Sequence, residues 1–109
     1  MIIQLKNKDK LIVGGFKFQC CVGKKGLKKH KIEGDKSTPV GIFSLGALYY
    51  RSDRVKKPST ALKIIKIKPS MAWCNDPNSK LYNKEISIKK KTSYERLYRK
   101  DHKYDYFIL

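Results

Sequence analysis

The chain has 109 residues, of which 26 are Lys or Arg and nine are Asp or Glu, so its formal charge is +17. The length suits one domain, and 40% apolar residues can build a modest core, which argues against wholesale disorder. No apolar run approaches the roughly 20 residues of a membrane span, and the N-terminus lacks the apolar stretch of a secretory signal. We therefore expect a single domain over residues 1–109, with no membrane span and no visible export signal.

Short apolar runs separated by turn residues predict a mainly β protein. The runs, in chain order, cover residues 2–5, 11–13, 16–22, 40–45, 48–50, 61–67, 85–88 and 104–109. Residues 16–22 alternate apolar and polar side chains, which predicts a half-buried strand. Residues 23–38 and 70–83 have loop composition, and residues 93–98 suit one or two helical turns with Ser93 as the N-cap.

The charge is consistent with an anionic partner, such as nucleic acid, a membrane surface or an acidic polymer. Lys supplies 22 of the 26 cations, whereas Arg, which reads base edges and grips phosphate with two hydrogen bonds, supplies four. Many Lys alternate with apolar residues, as over residues 63–68, which is typical of the solvated face of a strand. The charge therefore indicates first a lysine-rich surface, with polyanion binding as the alternative.

The three cysteines predict neither a disulfide framework nor a metal site. Cys20 and Cys21 are adjacent, so their side chains should point to opposite faces of a strand. No Cys-x-x-Cys pair is present, whereas zinc sites usually need three or four closely spaced ligands. We expect no metal and no cofactor, and we expect Cys20 and Cys74 to be small buried residues. A catalytic pair of Cys74 with His102 is formally open, but no local pattern supports it.

Three constellations of polar and turn residues stand out. They are residues 31–43 (Lys-Ile-Glu-Gly-Asp-Lys-Ser-Thr-Pro-Val-Gly-Ile-Phe), residues 73–77 (Trp-Cys-Asn-Asp-Pro) with Tyr82-Asn83, and residues 93–101 (Ser-Tyr-Glu-Arg-Leu-Tyr-Arg-Lys-Asp) with Tyr104-Asp105. The first predicts a turn into a core strand, because Pro39 fixes φ and pushes Thr38 to an extended conformation. The Trp73 side chain can pack in the core or face a glycan. Arg96 can pair with Glu95, Asp101 or Asp105, or grip a substrate carboxylate.

These constellations resemble the catalytic domain of the L,D-transpeptidases, the YkuD-like family of peptidoglycan enzymes. The family pattern is Glu-Gly-Asp-x-x-Thr-Pro-x-Gly-x-Phe, then Trp-Cys-Asp-Asp-Pro, Tyr-Asn, and His-Glu-Arg-Leu-Trp-Arg-x-Asp. The matching residues are Glu33, Gly34, Asp35, Thr38, Pro39, Gly41, Phe43, Trp73, Cys74, Asp76, Pro77, Tyr82, Asn83, Glu95, Arg96, Leu97, Arg99 and Asp101. The departures are Asn75 for Asp, Tyr94 for His and Tyr98 for Trp.

The resemblance implies the N-terminal part of a mixed β-sheet sandwich and acyl transfer by a Cys nucleophile that a His deprotonates. In the family, the Cys attacks a tetrapeptide stem of peptidoglycan, releases its terminal D-residue and passes the acyl group to an amine or to water. The family's His…Ser/Thr-x-Gly-Cys segment would lie downstream of this chain, so we expect a chain cut short, with no catalytic residue and no turnover. The family acts in the cell envelope.

The substrate-binding residues that the resemblance implies are Trp73, Tyr82, Asn83 and Arg96. Two non-enzymatic interpretations stay open: a basic β-domain that binds nucleic acid or another polyanion, and a degenerate family member that binds cell-wall peptides without turnover. A sheet without its last strands leaves open edges, so self-association is a further expectation.

Overall fold

A computed structural model describes all 109 residues, which form eleven short β-strands and no helix. The strands are β1 Ile3–Lys6, β2 Lys10–Val13, β3 Phe16–Gln19, β4 Leu27–Lys28, β5 Thr38–Pro39, β6 Leu48–Tyr50, β7 Ile64–Lys66, β8 Met71–Cys74, β9 Glu85–Ser87, β10 Tyr94–Arg96 and β11 Tyr106–Ile108. The predicted mainly β class is confirmed, and the structure holds no helix able to cross a membrane. The chain divides into two compact units, unit 1 over Met1–Phe43 and unit 2 over Ser44–Leu109.

Unit 1 contains an antiparallel sheet in the order β1-β2-β3 and a parallel pair, β4 with β5. Gly14 and Gly15 form the tight turn between β2 and β3, and Gly14 takes the left-handed φ of 58° that suits glycine. The strand predicted over residues 16–22 is confirmed only over Phe16–Gln19, which form β3, and its predicted half-burial is wrong there. Phe16 and Phe18 are 72% and 53% exposed, because no element of unit 1 covers their face.

Unit 2 contains two three-stranded sheets, in the orders β11-β6-β7 and β10-β8-β9. In the first sheet β6 pairs antiparallel with β11 and parallel with β7; the second sheet is wholly antiparallel. Strand β8 is the central strand of the second sheet. Its side chains alternate between two apolar clusters, which explains why Ala72 and Cys74 have no exposed surface.

Two apolar clusters form the core of unit 2. The larger one is built on Tyr49, Ile67 and Leu97, and draws in the half-buried Trp73 and Phe107 from the two sheets. The Trp73 and Phe107 rings meet edge to face, with centroids 5.5 Å apart, a favourable aromatic geometry. The smaller cluster, on the other face of β8, consists of Ala72, Cys74 and Ile86 with Leu81, Ile88 and Tyr94 packed against it.

Three local predictions are wrong. Within residues 93–98, Tyr94–Arg96 form strand β10 rather than a helical turn, because β8 supplies a hydrogen-bonding partner. Ser93 Oγ donates to Asn75 Oδ1 at 2.7 Å instead of capping a helix. The loop predicted over residues 70–83 begins with β8. The apolar run at 40–45 is not a core strand, since Ile42 and Phe43 are 103% and 66% exposed.

Candidate functional site

The first constellation forms a hydrogen-bonded loop in unit 1. Asp35 accepts from the backbone N–H of Ile32 and of Ser37, both at 2.9 Å, and from Ser37 Oγ at 2.5 Å. The Ser37 hydroxyl above all, and then the Ile32 amide, hold the pKa of Asp35 well below its usual range. Thr38 Oγ1 accepts from Gly23 N at 2.7 Å. The matched residues Asp35 and Thr38 thus organise the loop itself.

The second constellation begins on strand β8, and its residues form hydrogen bonds with each other. Trp73 Nε1 donates to Asn83 Oδ1 at 2.9 Å, so the indole has an internal partner. Asn83 takes a left-handed φ of 57°, which asparagine tolerates better than most residues, and its N–H donates to the Cys74 carbonyl at 2.9 Å. These contacts fix residues 75–84 as a compact loop beside the strand.

Cys74 is part of this scaffold. Its thiol is buried and lies 3.6 Å from Thr92 Oγ1, which in turn donates to Asp76 Oδ2 at 3.3 Å. Burial raises the pKa of the thiol, but the Asp76 backbone N–H and the Thr92 and Ser79 hydroxyls outweigh it and leave the pKa below its ordinary value. The predicted burial of Cys74 is confirmed, whereas Cys20 is only half-buried. Without access to solvent, the Cys74 thiol cannot meet a substrate carbonyl.

The third constellation is held by arginines. Arg51, which is buried, binds Asp53 through two hydrogen bonds of 2.9 and 2.8 Å and donates to the Arg99 carbonyl at 2.6 Å. The Arg51 guanidinium also lies 3.6 Å from the centre of the Tyr98 ring, a cation–π contact. Arg54 binds the Asp105 carboxylate and donates to the Lys100 and Asp101 carbonyls. These two arginines therefore anchor residues 98–105 to the turn after β6.

Carboxylates of the third constellation are also paired internally. Arg99 binds Asp101, with its Nε 2.9 Å from Oδ1, and this bond lowers the pKa of Asp101 to about 2. Glu95 accepts from Lys103 Nζ at 2.6 Å and from Tyr104 Oη at 2.7 Å. Burial raises the pKa of Glu95, but these two hydrogen bonds outweigh it and lower the pKa overall. The predicted ion-pair network exists, but Arg99 and Arg54 make it; assigning it to Arg96 is wrong.

Arg96 lies at an open groove of unit 2, with a volume of about 770 Å³. The groove is lined by Asn75, Tyr94, Glu95, Arg96, Tyr98, Arg99, Lys100 and Asp101, so it brings together parts of the second and third constellations. Pairing between β8 and β10 places Arg96 opposite Ala72. Arg96 is exposed and, unlike the other three arginines, forms no ion pair with a carboxylate. The two groove acids are already paired, which leaves Arg96 and Lys100 as its unpaired charges.

The four sequence-predicted binding residues do not share one site. Arg96 lines the groove. Trp73 and Asn83 bind each other, and the Trp73 ring packs into the larger core cluster of unit 2. Tyr82 is half-buried in the same loop as Asn83. The geometry therefore separates one candidate ligand-binding residue, Arg96, from residues that shape the fold around it.

Sequence reasoning missed Arg51, Arg54 and Lys100 as parts of this region. The spacing Arg51-x-Asp53 is a signal for a local ion pair that the sequence does offer. The contacts from Arg51 and Arg54 to residues 99–105 span more than 45 positions, so no local pattern could have revealed them. The His, Cys, Asp and Glu side chains form no group of three or more that could hold a metal ion.

Comparisons with protein-family models, with curated proteins and with solved structures found no match to this chain. The family resemblance therefore depends on the sequence motifs alone.

Proposed function

We propose that this chain is part of a peptidoglycan L,D-transpeptidase or L,D-carboxypeptidase domain, and that its groove binds the peptide stem. The observation that carries the proposal is the contrast among the four arginines. Arg51, Arg54 and Arg99 each hold a carboxylate of this chain, whereas Arg96 is exposed at the groove without one. A free guanidinium is suited to gripping a carboxylate with two parallel hydrogen bonds, and stem peptides carry carboxylates.

The rest of the groove supports an extended peptide ligand. Tyr94 and Tyr98 supply aromatic surface, Asn75 supplies an amide that can donate and accept, and Lys100 adds a second unpaired cation. The Arg51–Tyr98 contact and the Arg99–Asp101 pair hold the walls in place without a ligand. A preformed wall lowers the entropy cost of binding.

The proposed role of these 109 residues is binding rather than bond cleavage. Cys74 is buried, and neither Cys20 nor Cys21 follows a glycine in the family's nucleophile context. We therefore expect no turnover when the chain is incubated with a tetrapeptide stem and an acceptor amine. Turnover that the Cys74→Ala variant abolishes would show that our assignment of Cys74 is wrong.

Calorimetric titration of the chain with a tetrapeptide stem tests the binding proposal. Loss of one charge-assisted pair should weaken binding by about 10- to 100-fold in Arg96→Ala, with partial retention in Arg96→Lys. The matched control is Lys66→Ala, which removes one exposed positive charge from β7, outside the groove. Equal affinity in Arg96→Ala and Lys66→Ala, or no binding by the unaltered chain, would contradict the proposal.

A second function, polyanion binding, is favoured by one observation. All 22 lysines are exposed, so most of the +17 charge is available to a partner. This alternative predicts DNA or RNA binding that weakens steeply and linearly on a log–log plot as salt rises. It also predicts that Arg96→Ala and Lys66→Ala lose the same small amount of affinity.

A further inference from the structure

The sheet of unit 1 has one wholly apolar face. Directly paired residues in antiparallel strands point to the same side of a sheet. The register pairs Ile3 with Val13 and Val13 with Phe16, and it pairs Leu5 with Leu11 and Leu11 with Phe18. We call the surface formed by these six residues the apolar face. The opposite side of the sheet carries Lys6, Lys10, Lys17, Gln4, Ile12 and Gln19.

The apolar face is substantially exposed. Ile3 is 38% exposed, Phe16 72% and Phe18 53%, while Leu5, Leu11 and Val13 are half-buried. All eight buried apolar residues of the chain lie in unit 2, so unit 1 has no core of its own to cover this sheet. Contiguous exposed apolar surface on a folded protein marks an interaction site, and small sheets need a covered face for stability.

The positive charge of unit 1 favours one kind of partner for the apolar face. Unit 1 contains ten Lys and no Arg against Asp9, Glu33 and Asp35, so it is strongly positive. A second copy would bring the same positive charge against it, at an electrostatic cost, whereas a negatively charged surface would be attracted. Lipid bilayers with anionic headgroups combine that negative charge with an apolar interior immediately below.

We propose that unit 1 docks on anionic lipid surfaces through the apolar face. Phe16 and Phe18 enter the boundary between headgroups and acyl chains, a depth that suits large apolar side chains. Lys6 and Lys17 point to the opposite side of the sheet, but they lie on its edge strands β1 and β3, from where their long aliphatic stems can reach around the margins and place the ammonium groups among the lipid phosphates. This inference is independent of the groove in unit 2 and of its proposed ligand.

Co-sedimentation with vesicles tests the proposal. The unaltered chain should bind vesicles made of seven parts phosphatidylcholine to three parts phosphatidylglycerol, and should bind pure phosphatidylcholine far more weakly. Phe16→Ser with Phe18→Ser should reduce binding to the mixed vesicles by about 100-fold, because each large apolar side chain contributes about tenfold. Phe43→Ser, at a residue that is 66% exposed but outside the sheet, is the matched control and should bind normally.

A second variant removes the charge and leaves the apolar face intact. The Lys6→Glu, Lys17→Glu variant should lose the preference for the mixed vesicles. Added salt should likewise weaken the binding of the unaltered chain to the mixed vesicles. Normal mixed-vesicle binding by the Phe16→Ser, Phe18→Ser variant would overturn the proposal. So would a dimer of the unaltered chain in light scattering that this variant converts to a monomer, since the occupant would then be a second copy.

Discussion

The two units use their apolar residues in opposite ways. Unit 2 buries eight of them, namely Leu48, Tyr49, Tyr50, Ile67, Ala72, Cys74, Ile86 and Leu97, whereas unit 1 buries none. In unit 1 only Ser37 is buried, and the local order depends on strand pairing and on hydrogen bonds to Asp35 and Thr38. Unit 2 is therefore stabilised by a core, and unit 1 by turns and main-chain pairing, which leaves its sheet available to a partner.

The largest expected difference comes from truncating apolar side chains in each unit. Leu97→Ala in unit 2 should lower the free energy of unfolding by about 2–5 kcal/mol, because a fully buried leucine leaves a cavity. Ile42→Ala in unit 1, where the side chain is fully solvated, should change it by less than about 0.5 kcal/mol. Urea denaturation followed by far-UV circular dichroism, which reports the strands of both units, measures both values; similar costs for the two substitutions would contradict the contrast between the units.

Arginine truncation distinguishes scaffold from binding surface within unit 2. Arg51→Ala should lower the free energy of unfolding by about 2 kcal/mol, because it removes a buried guanidinium with its hydrogen bonds to Asp53 and to the Arg99 carbonyl. This cost is smaller than for a fully buried ion pair, because the Asp53 carboxylate is 41% exposed and solvent partly screens its charge. Arg96→Ala should leave the urea midpoint unchanged; equal destabilisation by both substitutions would place Arg96 in the scaffold.

Glycine substitutions test how unit 1 is held together. A Cβ at Gly23 would lie 2.5 Å from the Lys36 carbonyl oxygen, which forces the backbone apart. Gly23→Ala should therefore destabilise the loop by about 1–3 kcal/mol, whereas a Cβ at Gly15 meets nothing within 4 Å. Amide hydrogen exchange over residues 23–40 measures the effect. We expect faster exchange in Gly23→Ala but not in Gly15→Ala, and equal rates in the two variants would contradict this role of Gly23.

The smallest expected effect is a dependence of stability on pH. The pKa of Asp101 falls to about 2 in the folded chain, owing first to its bond from Arg99, against about 4 in an unfolded chain. A lowered folded-state pKa means that the contribution is complete above pH 4 and is lost as pH falls towards 2. Urea midpoints should therefore decline less steeply between pH 4 and pH 2 in Asp101→Asn than in the unaltered chain. Identical slopes would contradict the pairing.

Local sequence patterns predicted much of the fold. Alternating or continuous apolar runs bounded by Gly, Pro and Asn located β1, β2, β3, β6, β7, β9 and β11, because strand propensity and turn chemistry act over a few residues. They failed at β10, where Ser93 suggested a cap and no local residue reveals that β8 lies alongside. Strand β8 was missed for the same reason, since its flanking Pro, Ser and Asn residues give the segment a loop composition.

The candidate site was predictable only in part. Arg96 was singled out by its motif, and the structure places it at a groove, but the same motif also pointed to Trp73 and Asn83, which bind each other. The arginine that pairs with Asp101 is Arg99, three positions further on. Strand register and the turn of the backbone after Leu97 decide which guanidinium reaches which carboxylate.

By itself, the sequence determined the β class, most of the turns and the positive charge, because composition and short spacings carry these properties. The tertiary structure alone decided that Trp73 packs into the core and binds Asn83, and that Arg96 stays unpaired. It also left the phenylalanines of β3 exposed. These outcomes depend on which distant segments pack together: β8 between two apolar clusters in unit 2, and a sheet with an uncovered face in unit 1.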